Sequence, residues 1–150
     1  MDVNTSQFSI FVPLIIVVVN IIKKIVAVAL PLLVIAIVTY GSLASSDKLP
    51  SGGFFSEIPH FDKAVHFIFY FAIVAALRFS FTVYGRSDLK TRLIIVISAV
   101  VYGGMIELPQ GMYFNRSTDI LDFTANSLGA VCAGFLLPQI IFNILIKKRK

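Results

Sequence analysis

Four stretches of nearly unbroken apolar residues, at about 25–43, 61–79, 93–108 and 120–142, constrain this chain more than any other feature. A helix rises about 1.5 Å per residue, so about 20 apolar residues cross the roughly 30 Å hydrocarbon core of a bilayer. In lipid the backbone must satisfy its own hydrogen bonds, and a helix does so within one segment. The first two stretches have the length of a crossing. The third is shorter and is expected to end near Pro109, whose ring removes a backbone donor. The fourth runs on to Ile146 and must tilt, kink at Pro138 or lay its end along the interface. Composition agrees: 57% of the 150 residues are hydrophobic and 14% charged, against about 45–50% and about 25% in soluble domains. The expected fold is an all-α membrane protein, a four-transmembrane-helix bundle with an extra apolar N-terminal helix.

That extra helix comes from residues 8–22, a further apolar run separated from the first span only by Lys23-Lys24. One helix over residues 8–43 would measure about 54 Å, too long for a single crossing. Residues 1–24 are therefore expected to form an interfacial or partly inserted helix, with a fifth span as the alternative, and residues 25–150 the transmembrane domain. Lys23-Lys24, the apolar run and Ser42-Leu43-Ala44 have the outline of a cleavable signal, but the run is too long and its lysines stand too far in.

The net charge of +5 does not point to nucleic acid, because the charges lie between and after the apolar runs. Cytoplasmic loops of membrane proteins carry the excess of Lys and Arg. Placing Lys23, Lys24, Arg86, Lys90, Arg92 and the Lys147–Lys150 tail inside, with Arg78 snorkelling to the same side, leaves only Lys48, Lys63 and Arg116 outside. The C-terminus is then cytoplasmic, and loops 44–60 and 109–118 face outward. Cys132 is the single cysteine, so there is no disulfide framework and no zinc spacing.

A polar constellation gathers at the outward ends of spans two to four. Asp62, His66 and Tyr70 stand at i, i+4 and i+8, on one helical face. Glu107 and Gln110 lie at the mouth of span three. Arg116 precedes span four, on which Asp119, Asp122, Asn126 and Gly129 share a face. Ionisable groups near hydrocarbon cost on the order of a few kcal/mol each and are functional candidates by default. Arg116 is the natural counter-ion for Glu107 or Asp122, and Asp119 reads as a first-turn or capping acid. Small residues in Ala125-x3-Gly129 and Ala130-x3-Gly134 supply a helix-packing face. Gln139 beside Pro138 is placed to satisfy backbone groups freed by a kink.

The pattern Asp62-Lys63-x2-His66-Phe67-x2-Tyr70, followed by Glu107-x2-Gln110-x5-Arg116-x5-Asp122-x3-Asn126-x2-Gly129, resembles the VanZ-like membrane proteins over roughly residues 25 to 140. Relatives often carry an acid where Ile106 stands and Pro-Gly where this chain has Phe114-Asn115. The resemblance implies a small multi-pass protein of the bacterial cytoplasmic membrane, and the family's namesake is linked to teicoplanin resistance, hence to glycopeptide susceptibility.

Three functions fit these residues. In the first, Asp62, Lys63, His66, Tyr70, Glu107, Gln110, Arg116, Asp122 and Asn126 form an outward-facing pocket for an anionic cell-envelope lipid or headgroup, with membrane lipids as partners. Arg suits bidentate phosphate contact. In the second, the chain is an intramembrane hydrolase or transferase on a lipid-linked substrate, with His66, Glu107 and Asp122 as catalytic candidates. A histidine with two carboxylates could also hold a divalent metal, although the sequence alone assigns none. The third is a transporter or scramblase, for which no inverted repeat speaks.

Overall fold

The computed structural model describes residues 5–43, 60–113 and 120–146, with side chains for 12–43, 60–107 and 120–146. Among these residues the chain is all helical. Helix α1 covers Thr5–Leu43, α2 Phe61–Val83, α3 Leu89–Tyr113 and α4 Ile120–Val131; a π-helical turn, Cys132–Leu136, leads to α5, Gln139–Ile146. Three helices are long and apolar enough to cross a membrane, or four if the bent α4–α5 pair counts as one span. Val- and Ile-rich runs such as Ile15–Val19 are only moderate helix formers in water. In lipid the alternative is unpaired backbone, and that decides for helix.

Two expected breaks are absent. The chain does not interrupt at Lys23-Lys24: α1 is one helix of 39 residues, with Pro13 and Pro31 inside it, about 58 Å long. Neither lysine removes a backbone donor, so nothing there ends a helix. Lys23 instead donates from Nζ to the Ile146 carbonyl, 2.9 Å away, at the end of α5. Pro109 does not stop the third helix either, and α3 runs on to Tyr113. One lost hydrogen bond bends an apolar helix more readily than it ends it.

The α2–α3 connection is made by local rules. The Gly85 amide donates to Thr82 O (3.0 Å) and the Arg86 amide to Phe81 O (2.8 Å). These paired bonds form a Schellman close, with Gly85 at φ 77°. Asp88 then caps α3, its carboxylate accepting from the Thr91 amide (3.0 Å) and hydroxyl (2.7 Å). The Thr91 hydroxyl, with its amide, holds the Asp88 carboxyl below its ordinary value.

Helix α2 lies at the centre, packed on α1, α3, α4 and α5. Between its two ends Val38, Tyr70, Ile73, Val74, Ile95, Val96, Ala99, Ala130 and Ala133 form the apolar core. The small-residue face of α4 packs as expected. A methyl group at Gly129 would collide with the Phe67 carbonyl of α2, and one at Gly134 with Val96 of α3. The outward faces carry Ile25, Leu32, Ile68, Ile97, Met105 and Leu128 in the open, the inverse of a soluble protein's pattern.

The fourth apolar run bends by 67° around Pro138, one of the three outcomes its length left open. Leu137, the residue before proline, is extended. The carbonyls that the π turn and the break leave without helical partners are taken by Arg78. Its Nη1 donates to Ala133 O (2.6 Å) and Leu137 O (2.9 Å), and Nη2 donates to Gln139 Oε1 (3.0 Å). The guanidinium carbon sits 4.6 Å from the Phe142 ring centroid. Arg78 is thus 2% exposed and does not snorkel to an interface. The break offers acceptors inside the bundle that hydrocarbon cannot. Gln139 serves the arginine and Thr82 rather than the backbone.

Candidate functional site

The N-terminal end of α2 meets the N-terminal end of α4 and the C-terminal half of α3, and most of the polar constellation converges there. His60, at φ 60°, precedes α2 and its carbonyl accepts from the Lys63 and Ala64 amides. The next inward-facing positions are His66 and Tyr70, 5% and 0% exposed. Facing them, Asp122 and Asn126 of α4 are 8% and 1% exposed, and Glu107 of α3 is 4% exposed. The backbone contact of Gly129 on Phe67 brings α2 and α4 close enough for these short side chains to touch.

The contacts form one chain across three helices. Asn126 Nδ2 donates to Glu107 Oε1 over 3.2 Å. Its Oδ1 lies 3.1 Å from His66 Nδ1. A carboxylate accepts and does not donate, so Glu107 fixes which way the amide faces. The amide oxygen then requires His66 Nδ1 to be the donor, leaving Nε2 as the open ring atom. Nε2 lies 3.6 Å from Asp122 Oδ2, too far for a hydrogen bond. Asp122 Oδ1 is 2.7 Å from Lys63 Nζ, an ion pair by distance without the angles of a hydrogen bond. Lys63 also donates to Asp62 Oδ2 at 2.8 Å.

Tyr70 lies one turn deeper than His66. Its ring packs against Gly103, where a methyl group would press on both Tyr70 and the Asn126 side chain. Its buried hydroxyl has no hydrogen-bond partner among the described residues, and Glu107 and Tyr102 lie within its electrostatic reach. Tyr102 turns the other way. Its hydroxyl bonds Thr39, whose own proton goes to the Ile35 carbonyl, so Tyr102 is the donor.

The structure therefore brings together Lys63, His66, Tyr70, Glu107, Asp122 and Asn126. Asp62 stands apart from the buried cluster: its side chain is 51% exposed and, among the described residues, pairs with Lys63. It lies in the first turn of α2, before the bundle closes around the helix. Asp122 takes Lys63 as its counter-ion. Arg116, Asp119 and the side chain of Gln110 lie outside the described residues. Gly103 belongs to the surroundings of the site without having been singled out in the sequence; Ile106, noted there as a departure from the family pattern, is buried beside Glu107. A glycine spaced three or four residues from an inward polar group on the same helix is the signal that would have found Gly103.

One oxygen from each of Glu107 and Asp122 and one ring nitrogen of His66 all lie within 4.8 Å of one another, and all three residues are buried. Chemically the group can orient a histidine base, hold Lys63 at the rim, or gather a cation. Comparison of the chain with protein-family models, curated proteins and solved structures finds no match.

Proposed function

We propose that the chain is a VanZ-like protein of the bacterial cytoplasmic membrane that recognises an anionic cell-envelope lipid or its headgroup at its outward-facing end. The observation that carries this reading is the buried chain Lys63–Asp122–His66–Asn126–Glu107, assembled from three helices at one end of the bundle. A polar system this deep among apolar helices is costly to keep. Lys63, with a side chain 20% exposed, is its cation at the rim, and Arg116 joins it in the motif. Anion capture at that rim is the work such an arrangement suits. An effect on glycopeptide susceptibility would follow if the lipid is a cell-wall precursor.

Orientation belongs to the same proposal. Lys23, Arg78, Arg86, Lys90 and Arg92 lie at or beyond the end of the bundle away from the site, which the positive-inside rule places in the cytoplasm. From Lys23 to Leu43, α1 measures about 31 Å, one bilayer thickness, and its preceding apolar turns extend past that end. Those turns suit the inner interface. A cysteine at Asp62 should react with an impermeant maleimide in intact cells, and a cysteine at Asp88 only after lysis; the reverse pattern inverts the orientation.

The direct test is native mass spectrometry of protein released from mild detergent. The wild type should retain an anionic lipid that an Asp122→Asn/Arg116→Ala variant loses. Equal lipid retention by both removes the recognition reading. The His66–Asn126–Glu107 chain favours a second reading, an intramembrane hydrolase or transferase, because a histidine held at Nδ1 presents Nε2 as a base. A His66→Gln variant that still binds the lipid but leaves intact a lipid the wild type modifies would separate catalysis from binding.

A further inference from the structure

We infer that His66, Glu107 and Asp122 form a divalent transition-metal site. The argument starts at Asn126. Its amide is oriented by Glu107 and consumes the His66 Nδ1 proton. Metal-bound histidines are commonly held in this way: the distal nitrogen donates to an oxygen, and the tautomer that results aims a lone pair at the ion. Here that lone pair, on Nε2, faces Asp122 Oδ2 across 3.6 Å. Two acceptors facing each other at that distance repel unless a proton on Nε2 or a metal cation lies between them. The gap is too wide for a hydrogen bond, yet close to the roughly 3.3 Å between two ligands about 2.0–2.1 Å from one tetrahedral ion. Glu107 supplies the third ligand within the same 4.8 Å.

An independent observation points to the same place. The Tyr70 hydroxyl is fully buried next to this cluster and has no partner among the described residues. Three protein ligands leave a zinc-like ion one open position, and a water held there would give the hydroxyl an acceptor close to Glu107. One nitrogen and two carboxylate oxygens suit Zn²⁺, Mn²⁺ or Fe²⁺ better than a thiophilic ion.

The ion would also bear on the function proposed above. A divalent ion balances Glu107 and Asp122 and leaves Lys63 and the open position to attract a phosphate-like group. The metal site rests on ligand geometry alone; its use for a headgroup rests on the lipid reading.

The experiment is metal analysis and Zn²⁺ and Mn²⁺ titration of the full, untagged chain in detergent, with circular dichroism to follow the helices. The wild type should bind one ion per chain. His66→Gln, Glu107→Gln and Asp122→Asn should each weaken binding at least about tenfold, and Asn126→Leu by about 10–100-fold. Lys63→Met should bind as tightly as the wild type or more so, because it relieves Asp122 of a competing charge. A wild type that binds neither ion stoichiometrically overturns the site, as do ligand variants that bind like the wild type. Lipid retention, measured on the same samples by mass spectrometry, separates the two ideas: metal without lipid leaves this site standing and removes the headgroup reading, and lipid without metal does the opposite.

Discussion

Two polar clusters are buried in this bundle, about 18 Å apart along α2, and they are put together on opposite plans. Around Arg78 the polar groups face backbone. The guanidinium meets two carbonyls and the Gln139 side chain, and an aromatic ring lies against it. Around His66 they face one another, side chain to side chain, with a ring nitrogen opposite a carboxylate. In the first cluster the acceptors are two backbone carbonyls at the break and one side-chain amide, and one arginine engages all three through its Nη atoms. The second includes a buried tyrosine hydroxyl that no described residue engages. Burial and charge alone do not separate a brace from a site. Whether the polar groups are spent on the fold does.

Substitutions can break or sharpen this contrast. The largest loss of stability is expected for Arg78→Met, which leaves the Ala133 and Leu137 carbonyls unpaired in an apolar setting and should cost about 3 kcal/mol or more. Thermal unfolding in detergent would show it, while lipid and metal retention in the surviving folded fraction stay near wild type. Equal loss of both would mean that the two clusters act as one. Gly129→Ala comes next. It forces α2 and α4 apart at Phe67, with a cost of about 1–3 kcal/mol, and here ligand retention should fall together with the melting temperature.

Asn126→Leu should reverse the Arg78 pattern. It removes the amide linking His66 to Glu107, so lipid or metal retention drops sharply even in the folded fraction, beside a stability cost of about 2 kcal/mol or more from the two buried groups that lose this partner. A large unfolding effect with intact binding would make the outer cluster a brace as well. The smallest effect concerns Asp88, outside both clusters. Its carboxyl is held low by Thr91, so its contribution is present above the ordinary carboxylate pKa of about 3.9 and is lost as pH falls through the lower folded value. The difference in melting temperature between wild type and Asp88→Ala should be small, constant from pH 5 upward, and should close below about pH 4.

Much of this could be read from residue spacing. His66 and Tyr70, and Asp122 and Asn126, each four apart, do share inward faces, and the Gly129 and Gly134 steps do mark the packing side of the last helix. What periodicity could not supply was partnership between helices. It offered Arg116 to the acids, a residue outside the described ones, and did not single out the Lys63–Asp122 and Asn126–Glu107 contacts that the described residues make. It placed Asp62 with His66, although the first turn of α2 lies outside the enclosure. Arg78 was misread because an arginine near a span's end normally reaches for water. Only the broken helix beside it supplies carbonyls at that depth, and a break is a three-dimensional fact. The lysine pair at 23–24 and Pro109 were overrated as punctuation, since neither changes what lipid demands of the backbone.

The seat of Gly129 on the Phe67 carbonyl works as a keyed joint. The key lies one residue from His66 on α2 and three from Asn126 on α4, so the steric stop that locks the two shafts also sets the angular phase of the polar pair. Sliding either helix by a turn would unseat the key and disconnect the pair in a single step. The two helices are thus fixed against each other at the level where the polar pair sits.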